Sequence, residues 1–392
     1  MPDLPSLPEM SHALSEVLTP TLLTSLTILS IFYPLTLSPT PPTPTLSLDY
    51  CLHVLSFLFP PLPYLYSFAL SYILSLHAIN HPTTVTSALT CFIIAVWYTS
   101  LYTLSALNTR LGNGRSRAVV WREQIAVVTG GAGGLGWLMA KLLELRGAEV
   151  VVWDVREPDE WAGADEGGVR WMSVDVGDVD AVEKAYKRVC HEVGTPTILI
   201  NNAGIVNGLP LLSLSASQIS RCFHINTLSH FYTCRTFLPS ILSSPNGGTI
   251  VTVSSVLGHL GASHLTDYTA SKAALLAFHT SLRSEIAQLA EHASYPGAHN
   301  TKMILVKPGQ LSTAMFSTLK SPSEFFGPVV QARDLAREVV DAIEQGGNGV
   351  VSMPMYAWLI EWLGVLPILL QRAARWMSGV DGAMRSFGSK RE

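Results

Sequence analysis

Charge is what the first quarter of this chain lacks. No Lys, Arg, Asp or Glu occurs between Glu16 and Asp49, and none between Asp49 and Arg110. So long a charge-free run excludes an ordinary solvated surface for that region. The start is equally short of positive charge. Its only ionised side chains are Asp3, Glu9 and Glu16, so no secretory signal peptide is expected. Cysteine is sparse: Cys51, Cys91, Cys190, Cys222 and Cys234 are odd in number and form no CxxC pair. That excludes a disulfide framework and a zinc site, and fits a reduced, cytosol-facing catalytic part. A net charge of −4 with no basic stripe gives no footing for nucleic acid.

The charge-free quarter holds three apolar stretches, near 17–37, 51–76 and 85–107. Each has roughly the 20 residues a membrane-spanning helix needs. The second is interrupted by Pro60-Pro61-Leu62-Pro63, and the Pro/Thr/Ser stretch 38–47 reads as an extended linker. Arg110, Arg115, Arg117 and Arg122 follow the last stretch, which by the positive-inside rule keeps the following domain in the cytosol. Three spans place the amino terminus in the lumen and two place it in the cytosol; both counts stay open. The plainer alternative is a pair of buried core helices in a soluble protein.

From Arg110 onward the charge density is ordinary, and the pattern alternates apolar runs with helical segments. Ile125-Ala126-Val127-Val128 leads through Thr129-Gly130-Gly131-Ala132-Gly133-Gly134-Leu135-Gly136 into an apolar helix ending near Arg146, then into Glu149-Val150-Val151-Val152-Trp153. Continuous apolar strands separated by helices predict a doubly wound parallel α/β sheet. A glycine turn between strand and helix suits a dinucleotide pyrophosphate, whose charge faces the helix amino end. Asp154 ends the second strand, where a carboxylate accepts hydrogen bonds from a ribose and repels a 2′-phosphate. NAD is therefore favoured and NADP remains open, since Arg156 lies close by. Asp175 and Val176, after the run 169–174, suit the rim of an adenine pocket.

Tyr268 and Lys272 stand four apart on a helical stretch and so share a face. A tyrosine with a pKa of ~10 is a poor proton acceptor at neutral pH, and a nearby ammonium favours its phenolate. Ser255 lies thirteen residues before Tyr268, after the strand Thr249-Ile250-Val251-Thr252-Val253. Its hydroxyl can hold a substrate oxygen as charge develops. Taken singly, each feature has a bland reading: a surface helix pair, a turn serine, a flexible glycine loop.

Together they resemble the short-chain dehydrogenases/reductases over about residues 121–350. Thr129–Gly136 matches the TGxxxGxG turn, placing Thr129, Gly130, Gly134, Leu135 and Gly136 at the cofactor. Asn201-Asn202-Ala203-Gly204 matches the NNAG segment, whose role of steadying the central sheet beside the cofactor carries to Asn201–Gly204, with Asn202, Ala203 and Gly204 at the cofactor. Ser255-Val256-Leu257-Gly258 fits the family's serine followed by a glycine three later, which prefers Ser255 over Ser254. Asn226 matches the helix asparagine that completes a proton relay through water and lysine. Pro308-Gly309-Gln310-Leu311-Ser312-Thr313 resembles PGxxxT, so Pro308, Gly309 and Thr313 are cofactor candidates. The segment 314–330, with Phe316, Phe325 and Phe326, is then the substrate loop. Trp137 is bulkier than the residue usual after the turn and bears on the phosphate environment. The resemblance implies a Rossmann fold, with Asn226, Ser255, Tyr268 and Lys272 catalytic.

The carboxy-terminal stretch 355–370 is apolar apart from Glu361, broken by Pro367, and followed by Arg372, Arg375 and Trp376. It reads either as a helix at a membrane interface or as a lid or dimer helix buried in protein. The expected organisation is a membrane-anchoring helical region 1–120, a catalytic domain 121–350 and an apolar tail 351–392. The membrane-attached retinol and 17-beta-hydroxysteroid dehydrogenase-like branch is most similar. That implies lipophilic alcohol, ketone or aldehyde substrates, lipid metabolism, a homodimer as one arrangement, and residence at endoplasmic reticulum or lipid droplet. The long amino-terminal region departs from that branch, where one anchor or hairpin is usual. Two other readings stand beside this one: an NADP-dependent carbonyl reductase, and a non-catalytic membrane scaffold that keeps the cofactor fold.

Overall fold

The computed structural model describes residues 116–158, 168–313, 315, 327–354 and 356–380. The three apolar stretches of the amino-terminal region, the linker 38–47, Arg110, Arg115 and most of the substrate loop 314–330 lie outside these residues. Among the described residues no helix is long and apolar enough to cross a membrane.

The alternating apolar runs become one parallel sheet of seven strands in the order β3-β2-β1-β4-β5-β6-β7. They are β1 (Ile125–Thr129), β2 (Glu149–Asp154), β3 (Val169–Ser173), β4 (Ile198–Asn201), β5 (Thr249–Val253), β6 (Lys302–Pro308) and β7 (Gly349–Met353). Val127 pairs with Val151 on one side and Leu199 on the other, so β1 is the strand from which the sheet grows both ways. Strands buried on both faces carry apolar residues without strict alternation, and β4 and β5 are buried along their whole length.

Helices cover both faces. On one, α1 (Gly134–Arg146) and α6 (Ala332–Gln345) pack Met139, Leu143, Leu335, Val339 and Ile343 against Val128, Val152 and Ile304. On the other, α2 (Val179–Glu192), α4 (Ser229–Ser243) and α5 (Thr266–Leu289) pack Val182, Val189, Phe237, Ile241, Leu282 and Ile286 against Val127, Leu199 and Ile250. A shorter helix, α3 (Ala216–Phe223), precedes α4 and begins with a reciprocal Ser215–Gln218 cap. Winding reverses between β1 and β4, which opens a crevice at the carboxyl ends of these strands, where ligands bind in such sheets.

Two local outcomes differ from the sequence expectation. Trp137 turns into the core against the sheet rather than toward the glycine turn, with Lys141 Nζ 5.7 Å from its ring centre. Arg117 is buried: it donates to Gln124 Oε1 (2.5 Å), Asn246 O (2.9 Å) and Thr249 Oγ1 (3.2 Å), and burial lowers its pKa. That arginine ties the domain's leading edge to β5 and the turn before it.

Beyond β7 the apolar tail is two helices, α7 (Tyr356–Leu363) and α8 (Ile368–Ser378). Proline cannot continue a helix, and Pro367 serves as the amino-terminal cap of α8.

Candidate active site

The turn after β1 is shaped by contacts a side chain would destroy. Gly130 has φ +62°, and a Cβ there would lie 2.6 Å from the Ala203 backbone. A Cβ on Gly136 would run into the Gly130 carbonyl oxygen and the Asn202 amide. Asn202 Nδ2 donates to Thr129 O (3.1 Å) and Gly130 O (2.9 Å). The Thr129 hydroxyl accepts from the amides of Asn202 and Ala203 at 3.1 and 3.2 Å. Thr129, Asn202 and Ala203 therefore hold the turn with their own polar and apolar atoms, and Gly204 continues the segment toward the lysine.

Helix α1 starts at this turn with Gly133 as its cap and no side-chain hydrogen bond to its first amides; Leu135 beside it is buried. A Cβ added at Gly133 would meet nothing within 4 Å. A helix start without a side-chain cap, beside open space, suits a pyrophosphate. Asp154 closes the side of the turn: one carboxylate oxygen accepts from Ala132 N at 3.0 Å, the other from Arg156 N at 3.1 Å. Asp175 accepts from Gly177 N at 2.9 Å beside the buried Val176. Thr313 reaches the same turn, its methyl 3.5 Å from where a Gly134 Cβ would stand. The residues present thus fit a dinucleotide.

The reacting groups converge at the far end of the crevice. Tyr268 and Lys272 are both buried on α5, with Lys272 Nζ 5.8 Å from the Tyr268 ring centre and donating to Val253 O at 2.9 Å. Ser255 follows β5; its hydroxyl hydrogen-bonds the Tyr268 phenol, accepts from Leu257 N (3.1 Å) and donates to Pro308 O (3.4 Å). The Ser254 hydroxyl is spent on the Lys272 carbonyl at 2.9 Å, so Ser255 is the serine that faces the phenol.

Asn226 sits in a π-helical turn, His224–Leu228, between α3 and α4. Its amide bridges backwards and forwards: Oδ1 accepts from Ile205 N (2.7 Å), and Nδ2 donates to Ile205 O (2.9 Å) and Ser271 Oγ (3.0 Å). A Cβ on Gly204 would lie 3.4 Å from Asn226 Oδ1 and 3.6 Å from Lys272 Nζ, so all three meet. Ser271 and the Ile205 backbone are members of this cluster that sequence reasoning missed. Ser271 stands inside the Tyr…Lys stretch, so a signal was present; Ile205 carries none.

Electrostatics depart from the expectation that the ammonium lowers the phenol. Burial pushes Tyr268 up to about 12, the Ser255 hydrogen bond works against it, and Cys222 adds to the rise. Burial brings Lys272 down to about 8. Lys272 donates to the Val253 carbonyl, and desolvation is the largest influence on both groups.

Comparison with known proteins agrees with this geometry. Residues 124–322 match the profile of a family described as short chain dehydrogenase. Retinol dehydrogenase 10-A of Danio rerio is 31% identical over 300 residues, covering 69% of this chain and 86% of the relative. Estradiol 17-beta-dehydrogenase 11 of Homo sapiens is 31% identical over 225 residues, covering 56% and 71%. A crystal structure of a short chain dehydrogenase from Burkholderia cenocepacia in complex with NADP superposes with TM-score 0.54 at 26% identity, covering 65% of this chain and 98% of that one.

Proposed function

This chain belongs to the short-chain dehydrogenase/reductase family of NAD(P)-dependent enzymes, in the retinol and 17-beta-hydroxysteroid dehydrogenase-like branch, and from that premise we propose that it is a membrane-attached enzyme acting on lipophilic alcohols and their carbonyl partners, with NAD preferred. The observation that carries the reading is the Ser255–Tyr268 hydrogen bond above Lys272, in a crevice that ends on the uncapped start of α1.

The roles are those the family resemblance implies, and the geometry above supports them. A bound dinucleotide would be held by Gly130, Gly134, Leu135 and Gly136 at its pyrophosphate, with Thr129, Asn202, Ala203 and Gly204 holding their turn. Asp154 would accept from its ribose, Asp175 and Val176 would border its adenine, and Pro308, Gly309 and Thr313 would hold its nicotinamide. Such a cofactor would supply hydride acceptance and donation, and in its oxidised form a positive charge that would favour the Tyr268 phenolate. Ser255 orients the substrate oxygen. Tyr268 takes the alcohol proton in oxidation and returns it in reduction. Lys272 steadies charge beneath the phenol, and Asn226 anchors the relay that carries the proton onward from Lys272.

Lipophilic substrates are supported by the relatives' names, retinol and estradiol dehydrogenases, and by the apolar surround of Tyr268: Val206, Ala262 and Leu265 with Leu257 and Met315. Membrane attachment, at endoplasmic reticulum or lipid droplet with the catalytic domain cytosolic, rests on the charge-free sequence before Arg110. A homodimer is compatible with this arrangement. The NADP-bound neighbour favours the carbonyl-reductase alternative; Asp154 at the ribose position counts against it. The decisive assay offers detergent-solubilised full-length protein a retinoid, a steroid and a long-chain alcohol with NAD or NADP, and the matching carbonyls with reduced cofactor. Turnover of one of these, faster with NAD, is expected. Cofactor binding with no turnover in either direction would favour the scaffold reading instead.

A further inference from the structure

The apolar tail carries one charge between Tyr356 and Leu370, Glu361, whose side chain is 41% exposed yet reaches a buried lysine. Glu361 lies four residues after the fully buried Ala357, so the two share the inner face of α7. Trp358 and Trp362, each one residue on from these, are exposed. Against the inner face stands Lys307, whose side chain is 4% exposed and whose ammonium pairs with Glu361 Oε1. Among the described residues that carboxylate is the lysine's ion-pair partner, and burial has brought the lysine down to about 8. His259 Nε2 lies 3.8 Å from the same carboxylate oxygen.

Both partners of Glu361 adjoin reacting residues. Lys307 immediately precedes Pro308, whose carbonyl accepts from Ser255, and His259 closes the short turn that Ser255 begins. The tail touches this region at three more places. Gly309 N donates to Met353 O at 2.7 Å, and the space a Gly309 Cβ would need is filled by the Tyr356 phenol and Pro354. Arg375 Nη1 donates to Gly261 O at 2.9 Å. Val380 packs on the cluster that contains Tyr268, Leu265 and Val206.

We propose that Glu361, through Lys307 and His259, is a positioning residue that seats the carboxy-terminal helix pair as one wall of the substrate entrance, and so determines specificity for long apolar substrates. The proposal rests on the dehydrogenase reading above. Its physical basis is asymmetry. Trp362 is 69% and Leu369 78% exposed, so apolar burial fixes these helices weakly and their few inward contacts, the Glu361–Lys307 pair among them, carry their register on the core. An ion pair with one buried partner is costly to break by removing the other.

The test compares wild type, Glu361→Gln, and the double variant Glu361→Leu/Lys307→Met, all full-length in detergent. Three readouts are taken: amide hydrogen exchange across 356–378, NAD binding, and kinetics on a long-chain and a short water-soluble alcohol. Glu361→Gln is expected to lose exchange protection in the tail and raise KM for the long substrate by about tenfold. NAD affinity and kcat on the short alcohol should hold, and the double variant should recover the long-chain KM because an apolar pair can replace an ionic one. Unchanged protection, or lost protection with an unchanged long-chain KM, overturns the proposal. So does a parallel fall in NAD affinity and short-alcohol kcat, which would mark general destabilisation. Hydrogen exchange reads the tail even where wild type turns over nothing, so failure of the dehydrogenase reading is seen separately.

Discussion

A phenol that burial holds near 12 is a proton donor at neutral pH, and it becomes an acceptor only when positive charge is brought to it. An oxidised nicotinamide bound beside Lys272 would add such charge, whereas in this structure burial holds the phenol high. The sequence spacing placed Tyr268, Lys272 and Ser255 correctly as neighbours, because helix periodicity and strand-end position are local properties. It could not give the balance between desolvation and charge, which depends on how deeply the fold buries α5. At the same scale, Asp154 makes a sharp prediction. Its carboxylate accepts from Ala132 N in the turn, where a 2′-phosphate would meet its charge. Asp154→Ser should raise kcat/KM with NADP relative to NAD by at least about tenfold, a shift of roughly 1.4 kcal/mol. An unchanged ratio would remove Asp154 from the discrimination.

At the scale of elements, the π-turn His224–Leu228 is the feature periodicity did not reveal. An α-helical pattern runs from Ala216 to Ser243 without a glycine, and only the side-chain needs of the Asn226 amide show why it is interrupted. Such bulges concentrate at functional sites. Asn226 satisfies both backbone groups of Ile205 in a buried setting, so Asn226→Ala leaves them without partners at a cost of about 2 kcal/mol. Urea titration of the variant should show a lower midpoint at unchanged slope, and turnover should fall further than the stability loss explains. A midpoint equal to wild type contradicts this account of the turn. The strands were legible because buried parallel strands read as bare apolar runs; β6 extends to Pro308 only because β7 pairs along it to the end. The division of the tail into α7 and α8 was announced by Pro367. Its polar contact was not, since nothing local to Glu361 points to Lys307.

At the scale of the whole molecule, the sheet buries basic groups along with its apolar core. His279 is pulled down to about 4, chiefly by burial and then by Arg283, and His230 is lowered well below the ordinary 6.5 by burial, Lys272 and His279. Both bind fewer protons folded than unfolded between these values. Stability from this source is full above about pH 6.5 and is lost as pH falls toward 4. Denaturation midpoints measured from pH 7 to pH 4.5 should therefore decline, and His279→Gln should flatten the decline; a slope unaltered by the variant argues against it. Fold class and the order of motifs were readable from 392 residues because each motif is short and its spacing is local. The long-range pairings, Arg117 with Thr249 or Lys307 with Glu361, join residues far apart in sequence and become visible only once the sheet is closed.

The central claim is that Ser255, Tyr268 and Lys272 form a hydride-transfer site. Its most direct test is a single turnover of an alcohol substrate deuterated at the carbinol carbon, with NAD, followed by mass analysis of the nicotinamide. The account predicts one deuterium transferred to the ring by wild type, and a rate about a thousandfold lower in Tyr268→Phe with NAD affinity retained. Deuterium lost to water, or transfer at the wild-type rate without the phenol, would contradict it.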